Sequence, residues 1–268
     1  MPLAVCTTPI GNLDDVTLRV LAELRAAELV LAEDTRHTRK LLDRHAIRSP
    51  LLSLHGHNEA ARAAELLPRL ASGARLALVS DAGMPAVSDP GARLIRAALD
   101  AGVAVTVLPG PSAGETALVA SGLAADRYLF VGFLPRRAGE LSGLWRELAT
   151  WPSPVVAFES PRRLPAALRS LAAADPEREV AVCRELTKRF EEVVRGSARE
   201  LAERFAEPPR GEITVVLGPG RAAESAPADA ARQAVAELVA AGTPRRVAAD
   251  VVARLTGAGR NELYRTTL

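Results

Sequence analysis

The chain is short of three things, and each shortage excludes something. Of its 268 residues only Cys6 and Cys183 are cysteines. Each lies inside an apolar run and neither belongs to a CxxC pair, so both are expected as reduced core residues rather than a disulfide or a metal site. No apolar stretch approaches the roughly 20 residues a bilayer-crossing helix needs, and no basic-then-apolar leader opens the sequence. A soluble, cytoplasmic protein without a membrane partner is expected. Lysine is almost absent: of 34 basic residues only Lys40 and Lys188 are not arginine. The net charge of +2 is too small to announce a nucleic-acid binder by composition alone. Three motifs are missing as well. There is no GxxxxGK[ST] loop, no GxGxxG after the first strand and no GxSxG elbow, which argues against a nucleotide-triphosphate loop, an ordinary dinucleotide fold and a serine-hydrolase site.

What is present is alternation. Apolar runs at 3–8, 29–32, 51–54, 76–79 and 103–108 are separated by helical patterns at 14–25, 36–45, 59–71 and 91–101. Pro68 should kink or shorten the third of these. Short strands with interposed helices mean βαβ units and a mainly parallel sheet. Further runs at 155–158, 180–183 and 213–217, with helices at 112–121, 141–149, 162–173 and 197–206, indicate a second α/β domain, mixed or antiparallel. After a Gly/Pro/Ala linker at 218–228, the chain ends as helix, turn, helix and a short tail, with Thr243 as cap and Pro244 at the first helical position. The expected organisation is an N-terminal α/β domain over 1–112, a second over 113–220 and a helical extension over 225–268.

A parallel sheet binds ligands beyond the carboxyl ends of its strands. The segments there are "TTPIGN", "EDTRHT", "LHGHNE", "SDAGMP" and "PGPSAG", all polar or turn-rich, whereas the connections at the opposite edge are plain. The loop "DAGMPAVSDPG" is longer than the about 2–6 residues that such a connection needs. Its glycines allow close backbone approach and its prolines fix φ. Asp81, directly off the strand, is the functional candidate, and Asp89 is expected to cap the next helix. "LPGPSAGETAL" repeats the design, with the first-turn amides of a helix aimed at the same edge. Two such loops suit a small polar ligand, including a cationic, nucleoside-like one that arginine or lysine would repel. All four histidines lie between His37 and His57. Beside Glu33 and Asp34 they offer the donor types of a metal site, but a wet polar edge explains them, and no metal is expected. His45 is expected to cap a helix end.

"TPIGNLDDVTLR", "AEDTRHTRKLL", "LHGHNE", "LVSDAGMPAVSDPG" and "LPGPSA", followed by "GLAADRYLFVGFLP", "FESPRRL", "RELTK" and "GEITVVL", together resemble the ribosomal RNA small subunit methyltransferase I family. That family is a branch of the tetrapyrrole (corrin/porphyrin) methylase superfamily. Met84 stands where the family usually has threonine, and "TPIGNL" lacks the richer glycine pattern of tetrapyrrole methylases proper. The resemblance implies two α/β domains of the tetrapyrrole methylase type with S-adenosylmethionine (AdoMet) in the cleft between them, and a homodimer. It also implies 2′-O-methylation of a decoding-centre cytidine in 16S rRNA, with 16S rRNA or the small ribosomal subunit as partner.

Carried over by motif, Pro9, Ile10, Asp81, Gly83, Met84, Ser112 and Ala113 contact the cofactor, and the ends of "VAVCREL" and "GEIT" close its adenine side. Candidate general bases are Glu33, Asp34, His37 and Glu59, with Glu33 and Asp34 favoured because they follow the second strand directly. RNA contacts are expected from Arg36, Arg39, Lys40, Arg136, Arg137, Arg162 and Arg163. Lys188 is either a phosphate contact or a solvated helix charge. The C-terminal helices are either plain helix packing or an RNA reader. Two rival readings are methylation of a tetrapyrrole or other small molecule on the same scaffold, and a non-catalytic RNA-binding or ribosome-assembly module.

Overall fold

The computed structural model describes residues 2–220 and 228–265. Its first part runs β1 (Leu3–Cys6), α1 (Leu18–Ala26), β2 (Leu29–Ala32), α2 (Thr35–Arg44), β3 (Leu51–Ser53), α3 (Glu59–Ala71), β4 (Leu76–Leu78), α4 (Ala92–Asp100) and β5 (Val105–Leu108). All five strands pair in parallel in the order β3-β2-β4-β1-β5. Successive side chains of a strand point to opposite faces. Leu3, Val5, Leu31 and Leu78 therefore pack on α3 and α4, while Ala4, Cys6, Val30 and Ala77 pack on α1 and α2. Helices cover both faces, which is why these strands read as continuous apolar runs. Burial pushes the Cys6 thiol up to about 12, consistent with an inert core residue. Pro68 falls in the last turn of α3, and the helix continues past it to Ala71.

The second part runs α5 (Ala113–Ser121), β6 (Leu129–Phe133), α6 (Ala138–Leu148), β7 (Val155–Glu159), α7 (Leu164–Ala174), β8 (Glu179–Arg184), β9 (Glu192–Ser197), α8 (Ala198–Arg204) and β10 (Ile213–Leu217). The sheet order is β6-β7-β10-β8-β9, with β6 and β7 parallel and the remaining neighbours antiparallel. Helices α6, α7 and α8 cover one face. The other face takes α5 and, from the loop after β1, Ile10, which packs with Ala117, Leu118, Val156 and Cys183. The stretch around Lys188 is not helical. Residues 185–191 turn sharply, with Glu185 and Thr187 at φ 52° and 65°, and the chain returns as β9 beside β8.

This turn meets the loop after β1 closely. A Cβ on Gly11 would lie 2.6 Å from Lys188 Cγ and 2.8 Å from the Leu186 carbonyl oxygen. The Asn12 amide donates to Thr187 Oγ1 at 3.0 Å. The single glycine of "TPIGN" thus permits a joint between the two sheets' loops.

The C-terminal helices α9 (Ala228–Ala240), α10 (Arg245–Thr256) and α11 (Arg260–Arg265) share a core of their own around Val235, Ala249, Val252 and Leu263. Helix α10 starts one residue later than expected: Pro244, not Thr243, holds the cap position. The expected short tail forms α11. Most of the linker at 218–228 lies outside the described residues.

Candidate active site

Because β1 and β4 are neighbours, the loops that leave them are neighbours too. Thr8 and Gly83 exchange backbone hydrogen bonds of 2.9 and 3.1 Å. The Thr8 hydroxyl donates to the Ser80 carbonyl at 3.0 Å and the Ser80 hydroxyl to the Gly83 carbonyl at 3.0 Å. Gly83 itself has φ 76°, a left-handed conformation that glycine adopts without a Cβ penalty. Further along the same loop Ala86 and Ser88 hold φ 66° and 64°. Left-handed backbone at non-glycine residues costs of order 1–3 kcal/mol each and persists only when its surroundings impose it. The extra chain between β4 and α4 is therefore a fixed wall rather than slack.

That wall, the start of α5 and the strand ends of the second sheet enclose a cavity of about 400 Å³. From the first sheet it is lined by Glu33, Asp81, Ala82, Gly83, Met84, Val87, Ser88 and Asp89. Ser112 and Ala113 border it at the start of α5, and Phe133, Phe158, Glu159, Ser160, Pro161, Glu212, Ile213 and Thr214 complete it. A narrower extension reaches Ile10, Cys183 and Leu186.

The lining contains five acidic residues and no basic one. Two of the five are neutralised from outside. Glu159 is buried and takes two hydrogen bonds from Arg163, at 2.8 and 2.7 Å, and Glu212 pairs with Lys188 at 2.9 Å. Among the described residues, Glu33, Asp81 and Asp89 have no cationic partner within ion-pair distance. Asp89 is pushed up to about 6, first by burial and then by the charges of Glu33 and Asp81. Glu33 is raised by burial and by Asp81, with His55 pulling the other way. The cavity is short of positive charge, and a bound cation would supply it.

The structure brings Glu33, Asp81, Gly83, Met84, Ser112 and Ala113 together on this cavity. Ile10 borders the extension, and Pro9 is buried in the same loop. Glu212, Ile213 and Thr214, from "GEIT", line the second-sheet side, and Cys183 and Leu186, from "VAVCREL", the extension. Ser112 donates to Glu115, which also accepts from the Tyr128 hydroxyl at 2.5 Å.

Other expected residues are occupied elsewhere. Glu59 is buried and accepts from the amides of Gly91 and Arg93 at 2.9 and 2.7 Å, so it caps α4 from across the fold. Asp34 caps α2 through the Arg36 amide and pairs with the Arg36 side chain. Those bonds hold its carboxyl down to about 2, which makes it a weak base. His37 is exposed on α2. His45 holds the C-cap position of α2, as expected, and its ring meets the Leu13 carbonyl at 3.3 Å. Among the arginines, Arg163 is committed to Glu159 and the Leu134 carbonyl. Arg137 pairs with Glu140 and Arg36 with Asp34. Lys188 bridges Glu185 and Glu212 at 2.8 and 2.9 Å, so it braces the 185–191 turn rather than reaching outward. Arg39, Lys40, Arg136 and Arg162 make no side-chain ion pair or hydrogen bond among the described residues.

Sequence reasoning missed Asp89, Phe133, Phe158, Glu159 and Ser160 as lining residues. The signal for Asp89 was visible but ambiguous, since Asp-Pro-Gly before a helix also describes a cap. Here Glu59 supplies the cap, and Asp89 is left facing the cavity.

Comparison with known proteins places this geometry. Residues 3–202 match the family of Tetrapyrrole (Corrin/Porphyrin) Methylases. The ribosomal RNA small subunit methyltransferase I of Mesorhizobium japonicum is 45% identical over 99% of this chain and 91% of its own length. That of Neisseria meningitidis is 39% identical over 98% of this chain and 91% of its own. Among solved structures, the uroporphyrin-III C-methyltransferase of Thermus thermophilus in complex with S-adenosylhomocysteine superimposes with a TM-score of 0.56. It has 21% identity and covers 81% of this chain and 96% of that one. The family match over residues 3–202 and the near-full-length identity agree: this chain belongs to the tetrapyrrole methylase family and, within it, to the ribosomal RNA small subunit methyltransferase I proteins.

Proposed function

We propose that this chain is an AdoMet-dependent methyltransferase of small-subunit ribosomal RNA, and that its acceptor is the ribose 2′-oxygen of a decoding-centre cytidine in 16S rRNA. The observation that carries the cofactor reading is the charge of the cavity: five acids and no basic residue in its lining, with three of the carboxylates making no ion pair among the described residues. A sulfonium fits that deficit, whereas a phosphate-bearing cofactor does not. The rRNA reading rests on 45% identity over 99% of this chain to a protein named as a small-subunit ribosomal RNA methyltransferase, and the cytidine 2′-oxygen is what the resemblance of the sequence motifs implies.

When bound, AdoMet supplies a methyl group on a positively charged sulfur. Asp81, Gly83, Met84, Ser112, Ala113 and Thr214 would hold it. The ribose 2′-oxygen would take that methyl group, leaving S-adenosylhomocysteine, and would give up its hydroxyl proton to a base of this chain. Holding the acceptor oxygen in line can remove about 7–11 kcal/mol of barrier in favourable cases, against about 10²–10⁴-fold for a general base. Alignment by the two fixed loops is therefore the larger contribution. Glu33 is the base in this reading. It borders the cavity at the end of β2, and its raised proton affinity makes it stronger than an ordinary carboxylate. Asp34, held near 2, and Glu59, committed to a helix cap, are unsuited to the role.

The test is transfer of tritium from labelled AdoMet to small subunits from a strain lacking this gene, with the label mapped to individual riboses. One labelled decoding-centre 2′-oxygen is expected. Bound AdoMet with no labelled rRNA would refute the acceptor. Measured at saturating AdoMet, Glu33→Gln should lower kcat within the general-base range, and an unchanged kcat under saturation would remove Glu33 from the mechanism.

A further inference from the structure

The chain is poor in aromatic residues, 3% in all, with only five phenylalanines. Three of those five, Phe130, Phe133 and Phe158, form one edge-on cluster, and Phe133 and Phe158 line the cavity. Phe158 meets Phe130 edge-on with ring centroids 5.0 Å apart and Phe133 at 5.6 Å. The backbone is distorted to achieve this. Residues three apart on a regular strand point to opposite faces. In β6 the register with β7 shifts between Phe130 and Phe133, and Gly132 within the irregularity has φ 69°. The bulge turns Phe133 onto the same side as Phe130. Such bulges are over-represented beside active sites, where they re-aim a side chain.

The result is a large apolar ring left 58% exposed, lining the cavity and not sealed into the core. Val87, 47% exposed, borders the cavity from the opposite wall. Arg136, three residues after Phe133, and Arg162, next in sequence to the lining residue Pro161, are exposed and make no side-chain ion pair or hydrogen bond among the described residues. The cavity lining thus combines an exposed aromatic ring with carboxylates, and two exposed arginines without ion pairs follow it closely in sequence. Single nucleotides lifted from an RNA fold are recognised in this manner, by base stacking on an aromatic ring with phosphates held by arginine.

We infer that Phe133 is a stacking platform for the base of the acceptor nucleotide, which enters the cavity mouth unstacked from its RNA while Arg136 and Arg162 take the flanking phosphates. This rests on the proposed rRNA reading and deepens it, because it gives the ring the acceptor rather than the cofactor. The ring touches a base and positions its ribose; it takes no part in bond making.

Phe133→Ala and Phe133→Trp are compared with the unchanged protein in the tritium assay on small subunits. AdoMet affinity is measured calorimetrically, and self-association by sedimentation. Loss of one base–aromatic stack should raise the KM for subunits roughly five- to 100-fold in Phe133→Ala, with AdoMet affinity unchanged and with KM recovered in Phe133→Trp. An unchanged KM, a matching loss of AdoMet affinity, or a shift in self-association in place of the KM effect would each overturn the assignment. A second readout separates it from the rRNA reading. The indole introduced by Phe133→Trp should be quenched by a short oligocytidylate in the presence of S-adenosylhomocysteine. Quenching without transfer of label to rRNA supports the platform and refutes the rRNA acceptor; no quenching overturns the platform whatever the subunits show.

Discussion

The cavity has two walls, and both are acidic, but they treat their acids differently. On the second-sheet wall Glu159 and Glu212 each have a cation behind them, Arg163 and Lys188. On the first-sheet wall Glu33, Asp81 and Asp89 have no ion-pair partner among the described residues, and burial together with their shared charge raises the proton affinity of Glu33 and Asp89. The difference teaches which wall is finished and which waits for a ligand. A paired carboxylate is a structural element whose cost is settled within the fold. An unpaired one in a partly buried cluster is destabilising until a cation arrives, and such clusters mark functional sites.

Breaking the finished wall should have the largest effect. Glu159 has a side chain 2% exposed and holds Arg163 in a two-bond fork that also fixes the Leu134 carbonyl. Glu159→Ala leaves a guanidinium facing an empty position, and removing one partner of a buried pair costs about 3–5 kcal/mol. Arg163 is 30% exposed, so water relieves part of this and the lower end, about 3 kcal/mol, is expected. For a chain of this size that is a fall of roughly 10 °C in Tm, readable by calorimetry. A fall of only a degree or two would mean that the pair is not structural and that the two walls do not differ as argued.

The unfinished wall should respond in binding and not in stability. Asp81 accepts from the Asp34 amide at 3.0 Å and keeps the rest of its carboxylate toward the cavity. Asp81→Asn retains the shape and an acceptor for that amide while removing the charge. A charge-assisted contact contributes about 1.5–3 kcal/mol, so AdoMet affinity should fall roughly 10- to 100-fold with little change in Tm. Glu212→Gln, on the opposite wall and already partnered by Lys188, should change affinity by less than about threefold. Equal losses from the two variants would remove the distinction between the walls.

The same contrast explains what could be read without coordinates. Strand and helix positions in the first half were legible because continuous apolar runs and interposed 3.6-residue periodicity are local signals. The runs in β1, β2 and β4 are apolar at every position, as a sheet covered on both faces requires. The loops that build the site were legible from their turn residues. Roles set by a distant partner were not. Glu59 has the right chemistry for a base, yet its oxygen is consumed by amides 32 and 34 positions away. Arg163 and Lys188 have the right charge for phosphate, yet each is held by an acid of the cavity wall. Phe133 needed the bulge in β6 to be recognised, because strand alternation alone would point it away from Phe130 and Phe158. Arginine in "FESPRRL" gave no local sign that Arg163 is committed and Arg162 free.

The smallest expected effect is also the one that follows most directly from the charge of the first wall. Asp89 has its proton affinity raised to about 6 in the folded protein, above the ordinary 3.8. The folded state therefore binds this proton more tightly than the unfolded chain does. The stability that the group contributes is fully present below about pH 4 and is lost as pH rises through about 6. Near pH 8 the ligand-free protein holds Asp89 as an anion beside two others, and Asp89→Asn removes that repulsion while keeping the size of the side chain. Discounted for the share of the carboxyl that faces solvent, the relief is about 1 kcal/mol, or an increase of about 2–4 °C in Tm near pH 8. The increase should shrink to nothing near pH 4, where the native carboxyl is already neutral. Saturating AdoMet should shrink it as well, because in the proposed site the sulfonium would supply to Glu33, Asp81 and Asp89 the positive charge that Arg163 and Lys188 supply to the other wall. An increase of equal size at both pH values would mean that the gain comes from packing and not from charge. One that survived saturating AdoMet would mean that the cation lies elsewhere than beside these three carboxylates.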